Sequence, residues 1–130
     1  MRIKGEAVSG GRAEGNALIS KEPISFFGSI DLETGIVTEP GHPLKGKKIT
    51  GTILIFPKGK GSTVGSFALY RLKKQGMAPA GMIMEEAEPI VATGAIISDI
   101  PLLHRLEKKP AFKNGQKLLL NCDAGYVEEA

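Results

Sequence analysis

Cysteine, tryptophan and long apolar runs are what this sequence is short of. One cysteine, Cys122, stands among 130 residues. Alone it cannot close an intramolecular disulfide, build a structural zinc site or hold an iron–sulfur cluster, so any such metal must come from elsewhere. Trp is absent and aromatic residues make up 5% of the chain, which argues against a stacking platform for single-stranded nucleic acid. Seventeen Lys and Arg face fourteen Asp and Glu, a net charge of +3 with no long basic run. That falls well short of a nucleic-acid footprint and suits anionic small molecules. No apolar stretch approaches the length of a membrane span, and Met1-Arg2-Ile3-Lys4 leads into Gly and Glu without the apolar segment of a secretory signal. The expectation is a cytoplasmic protein without nucleic-acid or membrane partners.

What is present points to α/β structure rich in turns. An apolar share of 42% with 24% charged residues fits one compact domain over residues 1–130. Seventeen Gly and eight Pro favour short strands over a helical bundle. Strands are expected over residues 4–8 and 13–20, and the clearest over 49–56. In that last run Ile53-Leu54-Ile55-Phe56 reads as a strand covered on both faces and ended by Pro57. Val64, Phe67, Ala68 and Leu72 recur at helical spacing, with Ser62 or Thr63 to cap the helix and Gly76 to close it. A strand over 80–84 follows, then a short helix opened by Pro89 and strands over 101–106 and 117–121. No repeat or linker divides the chain, so a β-rich first half and an α/β second half are expected to share one core.

The strongest local signal is Phe56-Pro57-Lys58-Gly59-Lys60-Gly61-Ser62-Thr63-Val64-Gly65-Ser66, a glycine-rich turn from a buried strand into a helix. Gly59 and Gly61 permit close approach of a ligand, and the first helical N–H groups lie unpaired at the positive end of the dipole. Lys58 and Lys60 add charge. A hydroxyl at Ser62 could bind an anion there or, if deprotonated, act as a base; it could equally be a plain helix cap in a tight turn. Two familiar phosphate motifs fail. Lys60 precedes Gly61 and Ser62 follows it, which is out of register for a P-loop. The dinucleotide pattern needs a third glycine at position 64, where Val64 stands, although Glu85 after the next strand would suit the ribose-binding acid.

Together with this loop, four segments carry a resemblance: Pro23-Ile24-Ser25-Phe26-Phe27-Gly28-Ser29-Ile30-Asp31, Thr34-Gly35-Ile36-Val37, Gly41-His42-Pro43 with Gly46, and Gly94-Ala95-Ile96-Ile97-Ser98-Asp99-Ile100-Pro101. Over nearly its whole length the chain resembles the small swivel subunits of the aconitase X family. The resemblance implies a swivelling β/β/α domain that closes over a large subunit, forming a heterodimer or higher heteromer. That large subunit would hold a 4Fe-4S cluster and most of the substrate site, with no cofactor bound by this chain alone. The implied reaction is dehydration of (R)-5-phosphomevalonate to trans-anhydromevalonate 5-phosphate on a route to isoprenoids. Ser62 would accept the proton α to the carboxylate while the cluster iron acts as Lewis acid on the leaving hydroxyl. Lys60, Gly61 and Thr63 would bind substrate with it, and Ser25 and Gly28 would lie beside the site. Backbone donors at Gly61, Ser62 and Thr63, helped by Lys60, would lower the cost of a serine alkoxide. Two positions depart from the family pattern: Lys60 stands where arginine is common, keeping the charge without the planar fork, and Thr63-Val64 stands where serines are frequent. Related members resemble hydroxyproline dehydratases, which the same loop would serve; a non-catalytic module holding a phosphorylated ligand is the reading from another class.

The remaining candidates have plainer readings beside the functional one. Ser25, Gly28 and Asp31 belong to a segment whose Phe26-Phe27 pair could simply plug the core. His42, between Gly41 and Pro43, reads as a surface turn residue or a catalyst. His104 among leucines reads as structural, and Cys122 at the end of Leu118-Leu119-Leu120 as a buried, inert thiol. Glu85, Glu86 and Glu88 could form a metal or general-acid cluster; a solvated loop or a subunit interface accounts for them as well. The scattered lysines read as a solvated surface.

Overall fold

The computed structural model of the chain describes residues 2–60 and 64–130. Its centre is the apolar run that the sequence marks most clearly. Strand β4 (Ile53–Phe56) lies between β3 (Arg12–Ile19) and β5 (Gly81–Met84), with β6 (Leu102–His104) beyond β5, and all of these pairings are parallel. Side chains alternate across such a strand, and both faces here are covered. Leu54, Phe56, Met82, Met84 and Leu102 belong to one core cluster, completed by Ala68, Leu69 and Leu72 of α1 (Gly65–Lys74) and Val91 and Ala95 of α2 (Pro89–Ser98). Ile53, Ile83 and Leu103 belong to a second cluster with Ile3, Leu118, Leu120 and Val127. Those last residues come from β1 (Arg2–Lys4), β7 (Lys117–Asn121) and β8 (Tyr126–Glu129). The result is three layers: an antiparallel β layer, a parallel β layer, and a layer of helices.

The two β layers are joined because β3 changes partners along its length. Arg12 to Asn16 pair antiparallel with β7, while Ala17 to Ile19 pair parallel with β4. The chain also connects the two ends of the strand order β1-β8-β7-β3-β4-β5-β6-β2. β1 pairs with β8 and, one residue later, β2 (Glu6–Ser9) pairs with β6. At the break, Gly5 donates its N–H to Gly125.

Several expectations are corrected. Residues 49–56 are not one strand. Gly51 takes a left-handed turn at φ +70°, and only Ile53–Phe56 enters the sheet, although Ile49 is fully buried. The strand expected over 4–8 is split at Gly5, and the one over 101–106 stops at His104, where Arg105 adopts φ +53°. β8 was not expected; its alternation is short and ends in two glutamates. The predicted helix exists, but its buried face is Gly65, Ala68, Leu69 and Leu72, with Phe67 61% exposed. Contact with α2 decides this. Leu69 packs on Gly94, where an added Cβ would meet its Cδ1 at 2.8 Å, and only the face one residue away from the predicted stripe allows that approach. The residue before the helix is Val64, whose side chain makes no cap; Ser62 and Thr63, the expected capping hydroxyls, lie outside the described residues. Residues 20–52 contribute isolated bridges, such as Ile36 with Lys48, in place of further named strands. Among the described residues, no helix is long and apolar enough to cross a membrane.

The partner switch in β3 leaves no room at Gly15, where a Cβ would sit 2.6 Å from the Gly51 carbonyl oxygen. Gly15→Ala is expected to destabilise the fold by about 1–3 kcal/mol, seen as a lower urea midpoint with an unchanged slope. An unchanged midpoint would mean that the two layers are not held this tightly.

Candidate active site

The loop after β4 is held from the side by a segment far upstream of it, around Ile24. The Ile24 N–H donates to Lys58 O at 3.2 Å, and the Lys60 N–H donates to Ile24 O at 3.1 Å, a one-residue parallel bridge around Gly59. Ile24 and Phe26 are both 1% exposed, and Phe26 meets Phe56 edge to face with ring centres 5.7 Å apart. Burial of these side chains therefore docks residues 24–26 along the loop that the sequence singled out. Of the Phe26-Phe27 pair, Phe26 does plug the core, whereas Phe27 is 52% exposed.

Glu88 holds the same loop from the other side. Its Oε1 accepts the Gly59 N–H at 3.2 Å, while its Oε2 accepts the N–H groups of Ile90 and Val91 at 3.1 Å each. One carboxylate thus serves as the N-cap of α2 and as an anchor for the loop. A side chain at position 59 would meet Glu88 Oε1 and Val91 Cγ2, both at 2.6 Å, so glycine is needed for close approach. Of Glu85, Glu86 and Glu88, the first two are exposed, as expected of a solvated loop, and only the half-buried Glu88 departs from that reading. Glu86 forms a two-pronged ion pair with Arg105, at 2.9 and 2.7 Å. Among the described residues, no three His, Cys, Asp or Glu side chains are placed to hold a metal ion.

Lys60 is paired as well. Its Nζ lies 2.9 Å from Glu39 Oε2, and the Ser29 hydroxyl donates to the other oxygen of the same carboxylate. These contacts hold the Glu39 carboxyl below its ordinary value, first through Ser29 and then through Lys60. Lys60 rims two concavities. A cleft of about 460 Å³ is walled by Ile24, Phe26, Gly65, Ile90 and Val91, and a groove of about 870 Å³ carries Lys21, Lys47, Glu39, His42 and Asn114. Both helices begin at the cleft. The Ser66 hydroxyl donates to Ile90 O at 2.6 Å, and Gly65 packs against the Ile90 side chain. The opening N–H groups of α1, unpaired within the helix, make this a favourable place for negative charge.

Gly61, Ser62 and Thr63 lie outside the described residues. Of the other candidates, Ser25 donates its hydroxyl to Phe27 O at 2.7 Å, and Gly28 turns the chain at φ +117° directly after. They follow the bridge to the loop and shape the segment beside it. Asp31 is exposed and accepts the Glu33 N–H at 2.9 Å in a local turn. His42 is 6% exposed and so is not a surface turn residue. Its Nε2 lies 3.1 Å from Pro23 O and its Nδ1 accepts the Leu44 N–H at 3.0 Å, which assigns a neutral ring with the proton on Nε2 and commits both nitrogens to the backbone. His104 Nδ1 accepts the Ala87 N–H at 3.0 Å, the structural role expected of it. Cys122 is buried, and burial, with Asp123 nearby, pushes its thiol up to about 12. Sequence reasoning missed Glu39, Ser29 and the specific task of Glu88. Glu39 lies 21 residues from Lys60 and Glu88 lies 29 from Gly59, so no local spacing could have flagged either contact.

Comparison with known proteins places this geometry. The family described as the aconitase X swivel domain matches residues 2–129. A protein of Methanosarcina acetivorans named phosphomevalonate dehydratase small subunit is 55% identical over 130 residues, covering 98% of this chain and 90% of that protein. One of the same name from Thermococcus kodakarensis is 50% identical over 128 residues, covering 98% of this chain and 96% of that one. The crystal structure of Thermococcus kodakaraensis aconitase X in its holo-form superposes with a TM-score of 0.95 at 48% identity, over 100% of this chain and 98% of that one.

The Glu39 contacts can be tested by titration. Because the folded value lies below the unfolded one, near 4.5, the stabilisation from this carboxylate is complete above pH 4.5 and is lost as pH falls through the folded value. Carboxyl-carbon NMR should show Glu39 titrating below 4.5, with Ser29→Ala and Lys60→Met each raising its midpoint. A midpoint that neither substitution moves would refute the pairing.

Proposed function

The chain belongs to the aconitase X swivel domain family, and from that premise we infer that it does what its relatives' names describe. It is the small subunit of a phosphomevalonate dehydratase, a hydro-lyase, and works with a large subunit. The observation that carries this reading is identity at or above half, spread over nearly the full length of both this chain and the relatives. The glycine loop held at Gly59 and Lys60 is where such a subunit would contribute to chemistry.

Dehydration removes a proton from the carbon α to the carboxylate and a hydroxyl from the neighbouring carbon, leaving a double bond and water. In this reading Ser62 Oγ takes the proton. A serine hydroxyl is too weak an acid to be a base unaided, so its alkoxide must be stabilised. The positive N-terminal end of α1 and the cation of Lys60 supply that stabilisation. Gly61 and Thr63 bind substrate with Lys60, while Ser25 and Gly28 shape the neighbouring wall. Asp31 and His42 keep their backbone contacts and lie outside the chemistry. Residues 1–130 act as one swivel unit.

The side chains of this chain do not fit an iron–sulfur cluster. Its one cysteine is buried and holds its proton, and among the described residues no group of ligands gathers. In this reading the 4Fe-4S cluster is carried by the large subunit. Coverage by that subunit also accounts for exposed apolar side chains on the helices: Phe67 and Ile97 are each 61% exposed and Ile96 is 58% exposed.

Co-expression with the large subunit under anaerobic conditions is expected to yield dehydration of 5-phosphomevalonate, and this chain alone is expected to yield none. Ser62→Ala, still folded and still in complex, should lower kcat by about 10²–10⁴-fold. A decrease of only a few-fold would exclude Ser62 as the base. Turnover of hydroxyproline in place of phosphomevalonate would move the chain to a related dehydratase.

A further inference from the structure

We propose that Glu88 is a positioning residue for the catalytic loop, holding it in register through the Gly59 N–H; this rests on the reading of that loop as the one that carries the base. Three observations converge. The Glu88 carboxylate divides its oxygens, with Oε1 on Gly59 and Oε2 on the first turn of α2. The fit is close, since even a methyl group at position 59 would meet Oε1 and Val91. The other loop contacts are of a different kind: Pro57 O accepts the Glu85 and Glu86 N–H groups at the start of the loop, Ile24 holds the backbone on either side of Gly59, and Glu39 holds the Lys60 side chain. Among the described contacts, Glu88 is the one that ties the Gly59 backbone to α2, the helix against which α1 begins. The loop is thereby joined at one end to the N-terminus of α2 and at the other to α1, and Ser62 lies between these points in the chain.

A plain helix cap would need only the second set of bonds. Aspartate caps a helix as well as or better than glutamate, but its carboxylate is one methylene shorter. It cannot span both the N-terminus of α2 and Gly59. Glu88→Asp therefore separates the two roles, and Glu88→Ala removes both.

In the complex with the large subunit, Glu88→Asp is expected to keep the melting temperature of the native complex, to lower kcat at least about tenfold, and to leave KM within about threefold, as misplacement of a reacting group demands. Glu88→Ala should lower the melting temperature as well. In the full chain alone, ¹⁵N-resolved NMR should show the Gly59 amide proton moving upfield and exchanging faster in Glu88→Asp, while the Ile90 and Val91 amides stay protected. A native kcat in Glu88→Asp, or a Gly59 amide that does not respond, would overturn the proposal. If the Gly59 amide responds but the unmodified complex fails to dehydrate phosphomevalonate, the anchoring stands and the functional reading falls.

Discussion

A strand buried on both faces has only its ends to offer to solvent, and the layout of this protein follows from that constraint. The side chains of β4 alternate between two apolar clusters, one under the helices and one under the antiparallel layer. Neither face can carry polar chemistry without a desolvation cost. The chain must leave β4 at Pro57, and the loop that follows lies at the carboxyl end of the parallel strands, where open α/β sheets place their ligand sites. The second cluster exists because β3 serves both layers, so the position of the loop depends on a partner switch more than 35 residues earlier in the chain.

The loop is not a free cationic turn. Its backbone is bonded to Ile24 and Glu88, and Lys60 is bonded to Glu39, itself held by Ser29. Carboxylates from two separate regions thus face an element whose own charge is positive. Such contacts fix the loop at Lys58, Gly59 and Lys60. They also moderate the local positive potential, since the Lys60 charge is shared with an acid before any anionic substrate arrives. The buried histidines act in the same structural way. His42 and His104 each satisfy a backbone N–H in a segment without regular secondary structure, where the peptide groups need partners that a sheet or helix would otherwise supply.

How much of this could be read in advance differs by element. Ile53 to Phe56 was legible because a continuous apolar run ended by proline is a local signature, and the same holds for β7 and for the helix opened by Pro89. The run from Ile49 was over-extended, because an apolar residue buried in a turn looks like one buried in a strand. On α1, Phe67 looked buried and Leu69 did not, since periodicity alone leaves the direction of a stripe uncertain by one position and the partner helix decides it. Glu88 sat in a run of acids that looked solvated. Its contact with Gly59 depends on how α2 packs, which no spacing encodes.

By itself, the sequence determined the composition of the core, the order of strand and helix around the glycine loop, and the family. Those properties are local or cumulative: they depend on which residues are present and on short-range periodicity. Only the tertiary structure decided which groups meet at the loop, namely Ile24, Glu39 and Glu88, and which histidine nitrogens are already taken. The physical reason is that a hydrogen bond or ion pair acts over about 3 Å in space with no regard for separation along the chain. Partners 21 and 29 residues apart are brought within that range by the packing of three layers.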